Sequence, residues 1–343
     1  MPRTALVTGA TGAVGRALVP ALLDAGWTVR ALTRHPDSLP AWRDRVEVTE
    51  GDADDRAVLD QALGGAEVAY YLLHSMEGHG DFAARDRALA TGFADAARAA
   101  GTRRIVYLSG LHPEGRLSAH MASRVEVGEI LMASGVPTAV LQAAVVLGEG
   151  SASFAMLRHL TERLPIMIGP RWLTNRIQPI ALADVVHYFA RAADLAPEEN
   201  RTLDIGMPDV LTYADMMRRY ARVAGLRPRI VLTVPVLTPW LASHWVGLIT
   251  PVAAAVAKPL VGSLIHESVC READASVLLG DPEGGLLGYD EAVRRALAGA
   301  DPKRWSRTAS VVVAAALTPV ATALASRRLS GRRPSFIGRI TGK

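Results

Sequence analysis

The 343-residue sequence predicts an α/β protein with a doubly wound parallel sheet and a smaller, mostly helical C-terminal lobe. Short, β-branched apolar runs alternate with helical stretches over residues 1–150. Runs that are apolar on both faces are typical of parallel strands that are covered by helices on each side. Half of the residues (50%) are hydrophobic and 21% are charged, which excludes a disordered or low-complexity chain.

Six apolar runs are predicted as strands of this sheet, and two long stretches between them are predicted as helices. The helical stretches, residues 13–25 and 82–100, lead into Gly26 and Gly101, which is typical of a left-handed C-cap. The six strand runs are residues 4–8, 27–33, 45–49, 67–73, 104–109 and 138–147.

A glycine-rich turn, TGATGAVG at residues 8–15, follows the first predicted strand and opens the first predicted helix. Gly9 permits a tight turn, Gly12 lets the backbone approach a pyrophosphate, and Gly15 lets helix and strand pack closely. The helix N-terminus adds amide donors and a partial positive charge. This combination predicts a Rossmann-type dinucleotide site.

The end of the second strand indicates which dinucleotide is bound. Sites for NAD place a carboxylate about 20 residues after the glycine turn, where it holds the ribose 2′-hydroxyl. Here the segment reads VRALTRHP, with Arg34 and no acid before Asp37. Because a guanidinium binds a 2′-phosphate that a carboxylate repels, the sequence favours NADP(H) over NAD(H). The alternative is that Arg34 is a solvated loop cation.

After residue 150 the alternation becomes irregular, so we divide the chain into three parts. Residues 1–150 form the NAD(P)-binding core, residues 151–300 a substrate lobe interleaved with it, and residues 301–343 an apolar helix with a basic tail. Within the lobe, residues 230–265 are strongly apolar with four prolines, which forbid one continuous membrane-spanning helix. They are interpreted as packed helices, or as the wall of a lipophilic pocket or a membrane-docking surface.

Charge is concentrated at the C-terminal end. Residues 301–343 carry nine Lys or Arg and one acid, a net charge of +8, so the other 300 residues sum to −4. A basic body that binds nucleic acid is therefore not expected. The apolar run at residues 309–326 is interpreted either as a helix packed on the body or on a partner subunit, or as an interfacial helix whose basic extension, up to residue 343, gives peripheral membrane contact. A true span is the third alternative.

The N-terminal residues, the single cysteine and the histidines indicate where the protein is located and which metal sites are not expected. The opening residues, MPRTALVTGA, contain no secretory signal, so we expect a cytoplasmic protein, with membrane association as the alternative. A single cysteine, Cys270, excludes a disulfide framework and a cysteine-based metal site. Four histidines fall at or after predicted strand ends, but their spacing predicts no metal site. They are His74, His79, His112 and His120.

Four sequence features together resemble the short-chain dehydrogenase/reductase superfamily: TGATGAVG, Arg34, GDADD at residues 51–55 and YLSG at residues 107–110. The chain is most similar to the atypical, extended NAD(P)H-binding branch, which includes NmrA-like regulators and the complex I 39-kDa-subunit type. The resemblance covers residues 3–225. The cofactor-binding residues that it implies are Gly9, Thr11, Gly12, Ala13, Val14, Gly15, Arg34, Asp52, Ala53, Leu72, Leu73, His74 and Ser109.

One departure from this family concerns the catalytic helix. Catalytic members carry Tyr-x-x-x-Lys after the serine strand, whereas SAHMASRVEVGEI places His120 and Arg124 at that spacing. The predicted catalytic residues are therefore Ser109, His120 and Arg124, with His120 as the acid because imidazole titrates near neutral pH. The alternative is that His120 is a polar residue on an exposed turn.

These observations predict an NADP(H)-dependent reductase that acts on a hydrophobic small molecule. The alternative is a non-catalytic dinucleotide sensor or scaffold, because both the tyrosine and the lysine are missing.

Overall fold

A computed structural model describes residues 3–74, 81–112, 117–234 and 254–298, together with Gly115, Thr250, Pro251, Ala300 and Pro302. Its centre is a seven-stranded sheet in which every neighbouring pair is parallel. The strand order is β11-β6-β5-β4-β1-β2-β3. These strands are β1 (Thr4–Thr8), β2 (Thr28–Thr33), β3 (Glu47–Glu50), β4 (Val68–Tyr71), β5 (Arg104–Gly110), β6 (Thr138–Ala143) and β11 (Arg201–Ile205).

Helices cover both faces of the sheet, as the continuously apolar strands require. On one face α1 packs with α6 around Leu18, Val19 and Phe189. On the other face α2, α3 and α4 pack around Leu59, Phe93 and other apolar side chains. These helices are α1 (Ala13–Asp24), α2 (Arg56–Leu63), α3 (Phe82–Ala99), α4 (Ala119–Met132) and α6 (Leu182–Ala192).

A third hydrophobic cluster is built from later parts of the chain, residues 145–293. The helices that contribute to this cluster are α5 (Ala152–Arg163), α7 (Tyr213–Val223), α8 (Ala254–Ser263) and α10 (Tyr289–Ala296). The short helix α9 (Asp274–Leu279) packs instead with α6 and β11 on the α1 side of the sheet. The short strands outside the main sheet are β7 (Val146–Leu147), β8 (Ile166–Pro170), β9 (Arg176–Ile177), β10 (Ile180–Ala181), β12 (Leu211–Thr212) and β13 (Ile230–Val234).

The predicted fold class is confirmed, and so are the two glycine-ended helices. Gly26 and Gly101 have φ angles of 82° and 70°, which is the left-handed conformation expected after a helix. The predicted run at residues 138–147 divides instead into β6 and β7, because β7 leaves the main sheet to pair with β10. None of the described helices combines the length and apolarity that a membrane crossing needs. The predicted tail at residues 309–343, His79 and much of residues 235–253 lie outside the described residues.

Candidate active site

The strand order reverses at β1, because the chain passes from β3 across the sheet to β4. In open parallel sheets ligands bind at such a switch point, beyond the carboxyl ends of the strands. Thr8 joins the carboxyl ends of β1 and β4 there. Its hydroxyl donates to the carbonyl of Tyr70 (3.0 Å), and its oxygen accepts from the amide of Leu72 (3.0 Å).

The glycine turn connects β1 to α1 at this switch point. Gly9 has a φ of 64°, and a Cβ there would lie 2.7 Å from the carbonyl oxygen of Leu72. A Cβ at Gly15 would lie 2.5 Å from the oxygen of Gly9. Gly12 is the N-cap of α1 and has no side chain to cap the first amides of that helix. Glycine is therefore needed for the close packing of this turn, which leaves the first amides of α1 uncapped by a side chain, and such amides suit a pyrophosphate.

Arg34 and Asp52 follow β2 and β3 and are brought together at the next edge of the site. The guanidinium of Arg34 lies 3.5 Å from the Asp52 carboxylate, and the Arg34 side chain is 60% exposed. The residue that follows Asp52, Ala53, is buried. Another guanidinium, which we did not predict, lies at the glycine turn. Arg16 donates there to the carbonyl of Thr11 (2.7 Å).

Ser109 and Arg124 lie together between β5 and α4. Ser109 is buried, and its hydroxyl donates to the backbone carbonyl of Arg124 (3.3 Å), which also accepts from the hydroxyl of Tyr107 (3.2 Å). The Arg124 guanidinium in turn donates to the carbonyl of Leu108. These bonds fix α4 against the end of β5. The Ser109 hydroxyl is therefore directed at the backbone of α4, and Arg124 at the end of β5.

His74 and His120, predicted for different roles, contact each other directly. Their Nε2 atoms are 2.9 Å apart. His74 Nδ1 lies 3.3 Å from the buried carboxylate of Asp86, which also accepts from the hydroxyl of Ser123 (3.1 Å). His120 Nδ1 lies 3.4 Å from Ser263 Oγ. The structure thus connects four side chains in one line, one from the segment after β4 and one each from α3, α4 and α8.

The electrostatics of this pair differ from the sequence prediction. Burial lowers the pKa of His74, and burial together with the neighbouring His74 lowers the pKa of His120 to about 3. The expectation that His120 titrates near neutral pH is therefore wrong, because desolvation disfavours the charged ring. The alternative of an exposed turn is also wrong, since His120 is half-buried in the first turn of α4.

The lowered pKa of His120 predicts a dependence of stability on pH. The unfolded ring takes up a proton below about pH 6.5, whereas the folded ring stays neutral down to about pH 3. We expect its contribution to the free energy of unfolding to be intact above pH 6.5 and to fall by about 1–2 kcal/mol at pH 5. Urea unfolding of the His120→Gln protein should lose this part of the pH dependence. The same change at exposed His35 is the control, and an unaltered pH dependence in both variants would contradict the prediction.

A cavity borders His120 and Ser263 on the side away from Asp86. Most of the residues that line it are apolar. Two of them, Gly110 and Leu111, directly follow Ser109. The buried hydroxyl of Tyr213, a residue that lines the cavity, has no hydrogen-bond partner among the described residues. The lining residues are Gly110, Leu111, His120, Met121, Ala143, Ala144, Val145, Ser153, Met156, Ile177, Tyr213, Leu260, Ser263, Leu264 and Ser268.

Sequence reasoning missed Asp86, Ser263 and Tyr213. For Asp86 a signal was present, because it lies three and four residues before Leu89 and Ala90 on the buried face of α3. A carboxylate on an apolar helix face needs a partner. For Ser263 and Tyr213 the sequence offers no comparable signal.

The fold and the glycine turn define a dinucleotide-binding protein, and comparison with known proteins agrees. Residues 9–146 match the family model described as NAD(P)H-binding. Ceramide reductase of Caulobacter vibrioides is 33% identical over 235 residues, which cover 66% of this chain and 72% of that protein. The (4-alkanoyl-5-oxo-2,5-dihydrofuran-3-yl)methyl phosphate reductase of Streptomyces griseus is 30% identical over 229 residues, 64% of this chain and 73% of that protein.

Solved structures share the fold at lower identity. Triphenylmethane reductase of Citrobacter sp., complexed with NADP(H), has a TM-score of 0.67 and 19% identity over 86% of this chain and 100% of that chain. The NADPH-dependent quinone oxidoreductase of Escherichia coli, complexed with NADPH, has a TM-score of 0.66 and 22% identity over 84% of this chain and 98% of that chain. The chain belongs to the atypical, NAD(P)H-binding short-chain dehydrogenase/reductase family, and it is an oxidoreductase.

Proposed function

We propose that the protein is an NADP(H)-dependent reductase that acts on a hydrophobic, lipid-like carbonyl compound. The observation that carries this proposal is the cavity beside β5, where mostly apolar walls meet a few polar groups, among them the hydrogen-bonded pair His120 and Ser263. Such a combination suits a substrate that is apolar over most of its length and polar at the reacting atom. The similarity to ceramide reductase supports a lipid-like substrate.

The residues of the switch point would hold the cofactor. The tight turn at Gly9, Gly12 and Gly15 would present the first amides of α1 to the pyrophosphate, and Arg34 would bind the 2′-phosphate. When bound, the nicotinamide supplies the hydride. The chain's own residues would orient the substrate in the cavity, exclude water with the apolar walls, and provide the proton from the side of His120.

Turnover of carbonyl compounds by the full chain tests this proposal. We would supply NADPH with a long-chain ketone, a long-chain N-acyl amino ketone, a para-quinone or acetone, and follow NADPH absorbance and products by mass spectrometry. We expect reduction of a long-chain compound and none of acetone, which cannot use the apolar walls. Consumption of NADPH with acetone alone, or with none of the four compounds, would contradict the proposal.

The preference for NADP(H) is tested at Arg34. We expect Arg34→Glu to weaken NADPH binding by about 2–3 kcal/mol, the size of a lost charge-assisted contact, and to change NADH binding much less. Asp52→Asn is the matched opposite change, because it removes the carboxylate 3.5 Å from the guanidinium and should strengthen NADPH binding. Calorimetry measures all three proteins. Equal affinity of the unmodified protein for NADPH and NADH would refute the preference.

A further inference from the structure

The four side chains Asp86, His74, His120 and Ser263 form a continuous hydrogen-bonded line from the buried interior to the cavity. The separations along it are 3.3, 2.9 and 3.4 Å. Asp86 is 4% exposed, and Ser263 lines the cavity. Each imidazole uses both of its ring nitrogens in the line, so the position of the proton on one ring determines its position on the next.

We propose that this line is a proton relay whose terminal group, the hydroxyl of Ser263, exchanges the proton with the substrate in the cavity. The proposal rests on the proposed reductase function and takes it further, because it assigns the reacting group in a family member that lacks the tyrosine. Ser263 and His120 are the catalytic residues. His74 and Asp86 are positioning residues that act through them.

The carboxylate of Asp86 sets the direction of the line. As an acceptor it requires the proton of His74 to be on Nδ1, which leaves His74 Nε2 as an acceptor. His120 must then donate from Nε2, and its Nδ1 accepts from the Ser263 hydroxyl. In the resting protein, every donor of this line therefore points towards Asp86. In this state the line is ready to take a proton from the cavity.

Reduction uses the same line in reverse. The starting state carries one additional proton, which enters from water in the cavity at Ser263. Each proton of the line then moves one place towards Asp86: the Ser263 proton passes to His120 Nδ1, the His120 Nε2 proton to His74 Nε2, and the His74 Nδ1 proton to Asp86. The carboxyl of Asp86 is then neutral and holds the proton with which reduction begins. That proton passes to His74 Nδ1, the proton on His74 Nε2 passes to His120 Nε2, and His120 Nδ1 donates to Ser263 as the Ser263 O–H bond breaks. The substrate carbonyl carbon gains a hydride and its oxygen gains the proton of Ser263, which forms the alcohol. The line then returns to its resting direction with Asp86 ionised, and alcohol oxidation follows the opposite order.

Tyr213 is the competing proton source. It borders the same cavity, and its buried hydroxyl has no partner among the described residues. Nothing in the described contacts of that hydroxyl returns a proton to it, whereas Ser263 is backed by His120. We therefore assign the proton transfer to Ser263, and the test distinguishes the two hydroxyls.

The resting direction can be measured without a substrate. In the full chain labelled with ¹⁵N-histidine, two-bond ¹H–¹⁵N spectra report which nitrogen of each ring is protonated, and His74→Gln and His120→Gln assign the signals. We expect His74 to be protonated on Nδ1 and His120 on Nε2. Asp86→Ala should move the protons to His74 Nε2 and His120 Nδ1, a change that crosses both rings. Asp184→Ala removes a carboxylate that is equally buried but lies on the opposite face of the sheet, and should change neither ring.

The terminal group is tested with the carbonyl compound that the full chain reduces. We expect Ser263→Ala to lower kcat by about 10²-fold with the Kd for NADPH unchanged, and Ser263→Thr to restore most of the rate because it keeps a hydroxyl. His74 protonated on Nε2 in the unmodified protein would overturn the relay. So would a large loss of kcat in Tyr213→Phe with little loss in Ser263→Ala. The expected protonation pattern in a protein that reduces no carbonyl compound would refute the proposed function and support the order of the line.

Discussion

His120→Ala is expected to lower kcat by 10²–10⁴-fold while leaving the affinity for NADPH unchanged, the cost typical of losing a positioned acid or base. The expected loss is large because His120 is the only described side chain with hydrogen bonds to both His74 and Ser263. An alanine would separate the cavity from Asp86. Initial rates with the carbonyl substrate and calorimetry with NADPH measure the two quantities.

His187→Ala is the matched control for this change. His187 is also a half-buried helical histidine with one hydrogen bond, to the carbonyl of Gly280 (2.9 Å), but it lies in α6 on the other face of the sheet. Its loss should leave kcat unchanged. If His120→Ala costs less than about threefold, the proton does not pass through His120.

Gly9→Ala is expected to weaken NADPH binding on the order of 100-fold, or about 3 kcal/mol. The left-handed φ of 64° disfavours any side chain, and the new Cβ would lie 2.7 Å from the Leu72 carbonyl oxygen. Neither strain is relieved by moving a flexible side chain, so the turn that holds the pyrophosphate must move. Calorimetric titration with NADPH measures the loss.

The Gly26→Ala variant separates the cost of the left-handed φ from the cost of a collision with neighbouring backbone. Gly26 has a similar φ of 82°, but no atom lies within 4 Å of a Cβ built there. We expect it to cost about 1 kcal/mol of folding free energy and to leave NADPH binding unchanged. Unchanged NADPH binding in Gly9→Ala would show that the turn does not hold the cofactor.

The sheet and the glycine turn could be predicted because they depend on local patterns. Parallel strands are apolar along their whole length, and the spacing of Gly9, Gly12 and Gly15 follows from the geometry of a strand that turns into a helix. The choice of Ser109, His120 and Arg124 depended instead on the resemblance to the short-chain dehydrogenase/reductase family, whose Tyr-x-x-x-Lys spacing falls on His120 and Arg124. The separation of β7 from β6 was not visible, because both belong to one uninterrupted apolar run.

The connections across the site could not be predicted, because they join distant parts of the chain. His74 and His120 are 46 residues apart, and His120 and Ser263 are 143 apart. Whether two side chains meet depends on how helices pack, which periodicity does not report. The pKa of His120 was predicted wrongly for the same reason, since desolvation arises from neighbours that only the packed structure supplies.

The position of β11 has a consequence for how the protein is synthesised. The ribosome must complete residues 201–205 before β6 gains its outer neighbour, and Arg104 gains the carbonyl of Glu199 only shortly before that. Until then every side chain of β6 is apolar or destined for burial, while its outer backbone edge is unpaired. An unpaired edge of this kind pairs readily with other chains. Slow translation between residues 143 and 205 therefore lengthens the period in which nascent chains are prone to aggregate or to need a chaperone.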